Sequence, residues 1–156
     1  MQIGIIGTGL IGASIGLRLH SHGEKGMSVI GYDVSRDNLN LALKINAIDS
    51  VAESIDVVVK NSKIVIIAAP ILDVKDIFEA INESILTNHI ANLVITDTSS
   101  SKSKIIDWAN SILSKDTFFI GGHPMAGSTE VGPNYSDGSI FEDSRWVITP
   151  TKNTPQ

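Results

Sequence analysis

Two clusters of residues in this chain have the types and spacing to do chemistry. The first is Gly7-Thr8-Gly9-Leu10-Ile11-Gly12, directly after the apolar run Gln2–Ile6. Glycine at the first position permits a tight turn out of a strand. At the third it lets backbone come close to a pyrophosphate, and at the sixth it lets a following helix pack against the sheet. The unpaired N–H groups and positive dipole end of a helix opening near Leu10 and Ile11 would then meet the phosphates. A glycine turn can arise for structural reasons alone. Here a second strand ends at Asp33, near the expected spacing, and its carboxylate can accept from the ribose hydroxyls of an adenosine. That charge disfavours a 2′-phosphate and selects NAD, while Arg36 nearby keeps NADP open. The second cluster is Gly121-Gly122-His123-Pro124-Met125-Ala126-Gly127-Ser128. A histidine just after a strand, fixed by a proline among small residues, can act as hydrogen-bond acceptor or general base toward an alcohol being oxidised. By type alone it also fits a structural loop histidine. His20, His22 and His89 lack this setting and read as surface residues.

Positioning these clusters requires an α/β fold. Buried strands are expected at Gln2–Ile6, Ser28–Asp33, Lys63–Ala69, Leu93–Asp97 and Thr117–Ile120, with a last strand at Arg145–Thr149. Between them, helical spacing covers Leu10–Ser21, Asp37–Ile45, a long segment opened by Asp73, and Ser101–Leu113. Asn46 sits where a left-handed cap is wanted. Ser54–Lys60 is ambiguous: three valines favour a strand, whereas Ser54 can cap a short helix presenting Ile55, Val58 and Val59, which is the preferred reading. The alternation predicts a Rossmann-type, doubly wound, mostly parallel sheet with helices on both faces. Ligands of such sheets bind beyond the carboxyl ends of the strands, where Gly7, Asp33, Pro70, Asp97 and His123 all fall.

The 156 residues suffice for one domain, with 42% hydrophobic and 19% charged residues. A net charge of −5 argues against nucleic acid, so an anionic ligand must be held by local devices such as helix N-termini. No apolar run approaches the roughly 20 residues of a membrane span. The absence of cysteine suits a cytoplasmic protein and removes thiolate metal ligands; no metal site is expected.

The chain resembles the amino-terminal domain of the prephenate/arogenate dehydrogenase family of tyrosine biosynthesis. The matching pieces are Gly7–Gly16, Gly31-Tyr32-Asp33, Ala68-Ala69-Pro70, Thr96–Lys102, Gly122–Ser128, and Ile140-Phe141-Glu142 leading to Ile148-Thr149-Pro150. Together they cover essentially the whole chain in order. The resemblance implies NAD-dependent oxidative decarboxylation of prephenate or arogenate. His123 would then take the proton of the ring hydroxyl, and Ser100 would hydrogen-bond that hydroxyl or the histidine. Gly7, Gly9, Leu10, Ile11, Gly12, Asp33, Ala69 and Pro70 would hold the cofactor. Lys102 reads as a surface lysine at a helix N-terminus. Ser99 stands where the family has glycine, and Thr129, followed by Glu130, stands where an acid or histidine is usual. Residues 1–150 are expected to be the NAD(P)-binding domain. Residues 151–156 would open a linker to a helical dimerisation domain absent from this chain, the full-length protein being a homodimer. Two other readings remain: a dehydrogenase of the 3-hydroxyacid or 6-phosphogluconate type, and an NAD-binding regulatory module without chemistry.

Overall fold

The computed structural model describes residues 1–23, 25–127 and 129–151. Among these, seven strands form one sheet: β1 (Gln2–Ile6), β2 (Ser28–Tyr32), β3 (Ser50–Val51), β4 (Ile64–Ile67), β5 (Val94–Asp97), β6 (Phe118–Pro124) and β7 (Trp146–Pro150). Their spatial order is β3-β2-β1-β4-β5-β6-β7. All pairs are parallel except β6 with β7, which run antiparallel. The order reverses at β1, so the strands on its two sides are reached by crossovers in opposite directions. A crevice opens at that point above their carboxyl ends.

Strand alternation assigns the two faces. Ile3 and Ile5 of β1 pack with Ile66 of β4 against α1 (Leu10–His22) and α2 (Arg36–Lys44), through Ala13, Ile15, Leu39 and Ala42. Ile6, Val65, Ile67, Ile95 and Phe119 point the other way, toward α3 (Ile55–Asn61), α4 (Val74–Asn88) and α5 (Ser103–Ile112). Phe78 of α4 meets Phe119 edge to face, with ring centroids 5.2 Å apart. This is the expected doubly wound Rossmann-type sheet, with β-branched residues filling strands that are buried on both faces.

Local chemistry explains where the elements begin and end. The Ser54 hydroxyl accepts from Val57 N–H at 3.3 Å, which resolves the ambiguous valine segment as helix α3. Ser35 caps α2 in the same way, through Asn38 N–H at 3.3 Å. Asn46 takes φ 58°, the left-handed turn expected of it after α2. Several ends move by one or two residues from the sequence reading, and three differences bear on the sheet and the site. The two-residue β3 has no periodicity to betray it. Helix α5 starts at Ser103 rather than Ser101. Strand β6 runs on to Pro124 instead of stopping at Ile120, because β7 provides an antiparallel partner for Gly121–Pro124. His123 therefore lies within a strand, opposite Val147, rather than just after one.

Between β6 and β7 the chain returns across α1 in two short 3₁₀ turns, Pro133–Tyr135 and Gly138–Phe141. The Ser136 hydroxyl donates to the Leu10 carbonyl at 3.0 Å, and Asp137 N–H donates to the buried Ser14 hydroxyl at 3.0 Å. Arg18 pairs with Glu142 at 2.6 Å. At its other end α1 is held by His20, an exposed residue as expected. Its Nδ1 lies 2.8 Å from the Gly16 carbonyl and its Nε2 3.1 Å from Asp49. His89, also read as a plain surface residue, takes φ 53° and caps α4 in the left-handed conformation. No helix among the described residues is long and apolar enough to cross a membrane. The expected linker, 151–156, falls almost wholly outside the described residues, as does Ser128.

Candidate functional site

The glycine turn is a piece of close backbone packing. Gly7 has φ +93°, a conformation that L side chains rarely adopt, and its N–H donates to the Tyr32 carbonyl at 2.8 Å. A Cβ at Gly12 would collide with the carbonyl oxygen of Gly7, so the helix can start this close to the turn only with glycine there. Gly9 differs from both: a Cβ there would meet no protein atom within 4 Å. The space above it is open, as a ligand would need. Gly9 is the N-cap of α1, and its carbonyl accepts from Ala13 N–H at 2.9 Å. No side chain caps the helix, which leaves the first N–H groups of α1, at Leu10 and Ile11, without an intrahelical acceptor.

Asp33 joins this turn to the end of β2. Its Oδ2 accepts from Thr8 N–H at 2.7 Å and from the Thr8 hydroxyl at 3.2 Å, and Oδ1 accepts from Ser35 N–H at 2.8 Å. Oδ1 retains a lone pair for a further donor. Arg36 turns away and pairs with Glu53, Nη2 to Oε2 3.2 Å, both side chains being largely exposed.

A cleft of about 800 Å³ gathers these parts. Of the cofactor residues named from the sequence, Gly7, Gly9, Leu10, Ile11, Asp33, Ala69 and Pro70 line it, and Gly12 lies beneath the turn. The sequence reading missed Asn38 of α2 and Asp73 and Asp76 at the start of α4, which also face the cleft. Glu130, Val131 and Gly132 close over it from the segment after β6. Among the described residues, no lysine or arginine lines it. The uncapped N–H groups at the start of α1 face a cleft that is open at Gly9, an arrangement that suits an anionic ligand.

Thr98 continues the cleft lining toward β6. Its carbonyl lies 3.3 Å from His123 Nδ1. A carbonyl only accepts, so Nδ1 carries the hydrogen of this bond and the neutral ring keeps its lone pair on Nε2. Ser100 is exposed on the connection between β5 and α5, two residues beyond Thr98. Among the described residues no hydrogen bond joins it to His123. Beneath them Asp97 is fully buried. Its Oδ1 accepts from Gly122 N–H at 3.1 Å, and Oδ2 accepts from Ser99 N–H at 3.0 Å and pairs with Lys102 Nζ. Lys102 is therefore not a surface lysine: only 16% of its side chain is exposed, and its stem packs on Gly121. The helix starts one residue later, so Lys102 caps the end and folds inward toward the only buried carboxylate among the described residues. An Asp ending an apolar strand five residues before a Lys was the signal available in the sequence.

Comparison with known proteins fits this arrangement. Residues 15–156 match the family described as "Prephenate dehydrogenase, nucleotide-binding domain". The prephenate dehydrogenase of Bacillus subtilis (strain 168) is 36% identical over 150 residues, covering 96% of this chain and 39% of that protein. The prephenate dehydrogenase of Lactococcus lactis subsp. cremoris (strain MG1363) is 38% identical over 151 residues, covering 95% and 40%. The chain thus spans about two fifths of the length of these curated relatives. Among solved structures, prephenate dehydrogenase from A. aeolicus in complex with hydroxyphenyl propionate and NAD+ superposes with a TM-score of 0.87 at 29% identity, covering 99% of this chain and 52% of that one. With the family match running over most of its length, this chain belongs to the nucleotide-binding domain family of the prephenate dehydrogenases.

Proposed function

We propose that this chain is the NAD-binding part of an enzyme that oxidatively decarboxylates prephenate or arogenate. The observation that carries the reading is His123. It is held by the carbonyl of Thr98, which lines the cleft although His123 itself does not, and its Nε2 is left to accept a proton. The relatives' names and the neighbour solved with hydroxyphenyl propionate and NAD+ support the same chemistry.

Gly7, Gly9 and Gly12 shape the cradle, Leu10 and Ile11 N–H groups meet the pyrophosphate, and Asp33 Oδ1 accepts from the ribose. Ala69 and Pro70 form the wall beyond β4. Bound NAD supplies a hydride acceptor at C4 of its nicotinamide. His123 Nε2 takes the hydroxyl proton as the carbinol carbon gives up hydride, and Ser100 orients that hydroxyl. The ring carboxylate leaves as carbon dioxide, and its bonding electrons complete the aromatic ring. Substrate carboxylates require a cation, and among the described residues none lines the cleft, so we assign it to the length of the related enzymes that this chain does not span. The acidic lining and the Arg36–Glu53 pairing favour NAD over NADP. A homodimer in the cytoplasm is the form and setting that family membership suggests.

The test is His123→Asn in the full-length enzyme. Loss of general-base catalysis lowers kcat by about 10²–10⁴-fold. NAD affinity, measured by titration calorimetry on this chain, stays unchanged. Full turnover by the variant would remove His123 from the chemistry.

A further inference from the structure

The ladder between β5 and β6 ends at Thr96 opposite Ile120. Beyond that pair the backbone ladder stops. Two hydrogen bonds nevertheless continue the link, and each uses a side chain where the ladder would use backbone. Asp97 Oδ1 accepts from Gly122 N–H, and His123 Nδ1 donates to the Thr98 carbonyl. The other oxygen of Asp97 folds the Ser99–Lys102 connection back onto the strand through Ser99 N–H and Lys102 Nζ. One fully buried carboxylate therefore holds both the connection that carries Ser100 and the strand residue next to His123. Gly122 is pressed against this junction: a Cβ there would lie 2.7 Å from the Asp97 carbonyl oxygen and 2.9 Å from Trp146 Nε1.

We infer that Asp97 is a positioning residue for the reaction. By clamping Gly122 and Ser99 it keeps the Thr98 carbonyl opposite His123 and so fixes which ring nitrogen is free to take a proton. The inference rests on the reading of His123 as the base. It adds a residue that need not touch substrate or cofactor but decides the geometry of the group that does. Asparagine in place of Asp97 presents an N–H toward Ser99 N–H and Lys102 Nζ, so donor faces donor and the connection is released. Gly122 N–H can still be satisfied by the amide oxygen, and the nucleotide turn lies on β1, outside the clamp.

The experiment is long-range ¹H–¹⁵N correlation of the imidazoles in this chain, comparing wild type with Asp97→Asn, with His123 assigned by its disappearance in His123→Asn. In wild type, neutral His123 carries its hydrogen on Nδ1. In Asp97→Asn that preference is lost and the Nε2–H form becomes populated, while NAD affinity changes by less than about threefold, below the tenfold that 1.4 kcal/mol represents. The double variant Asp97→Asn/Lys102→Met, which removes the unpaired cation, gives the same ring signature and serves if the single variant does not fold. A lowered melting temperature with the His123 tautomer unchanged in either variant overturns the inference, since a purely structural aspartate would behave so. The two readings fail separately. Full turnover by His123→Asn removes the base and leaves the clamp standing, whereas an unchanged ring removes the clamp and leaves the base.

Discussion

The two ends of the cleft are built from different materials. At the nucleotide end the work is done by backbone: Gly7 turns, Gly12 admits a carbonyl, and the first N–H groups of α1 stand open. At the β5–β6 end it is done by side chains around a buried charge, with Asp97, Lys102 and His123 tying the two strands together beyond the last pair of their ladder. A backbone site tolerates almost no added volume, but it stands without buried ions. A side-chain site can be retuned by substitution, yet it depends on each charged partner keeping the other. The comparison shows how a cleft without a basic lining residue among the described residues can offer N–H donors at one end while its buried charge is already paired at the other.

Removing one partner of the buried pair gives the largest expected effect. Lys102→Met leaves the Asp97 carboxylate buried and unpaired, and should lower stability by about 3–5 kcal/mol. Denaturant titration measures this, and a loss below about 1 kcal/mol would mean that water reaches Asp97 and the contrast between the two ends is overdrawn. Gly12→Ala is next. Its methyl displaces either the Gly7 carbonyl or the helix, at a cost of about 1–3 kcal/mol. Calorimetry should show NAD binding lost together with the turn, whereas Lys102→Met, if it remains folded, should still bind NAD. The smallest effect concerns the far end of α1. Burial opposes ionisation of Asp49, but its bond from Val29 N–H and the neighbouring His20 outweigh that and hold its carboxyl below the ordinary 3.8. A depressed carboxyl adds stability above its unfolded value and loses it as pH falls through that range. Thermal melts from neutral pH down to about pH 3 should therefore fall more steeply for wild type than for Asp49→Asn, by under about 1 kcal/mol because the pair is half exposed. Parallel curves would show that this contact does not anchor the nucleotide helix.

The same difference in materials decided what could be read from the sequence. The glycine spacing, the Ser54 cap, the left-handed Asn46 and the doubly wound sheet are local or periodic, and each signal lies within a few residues of its effect. The extension of β6 through His123 is not local: its partner β7 begins 22 residues beyond Pro124, across a segment without periodicity. Lys102 was misread for a related reason. Its neighbours Ser101, Ser103 and Lys104 are all exposed, and only the buried Asp97, set between Ile67 of β4 and Gly122 of β6, turns it inward. The residues chosen for the nucleotide gather round one cleft because strand ends are fixed by topology. How Ser100 and His123 relate depends on side-chain bonds that no spacing rule encodes.

The return of the chain over α1 has a consequence for the order in which the molecule is made. Leu10, Ser14 and Arg18 are tied to Ser136, Asp137 and Glu142, contacts spanning well over a hundred residues. During synthesis the nucleotide helix emerges well before this segment, and its outer surface is covered only when the segment arrives. Contacts of such separation form slowly, because a long loop must close before they reward it. The helix is thus completed long after it is made, and a chain cut short before Ser136 would carry the whole glycine motif on a helix with Ser14 still bare.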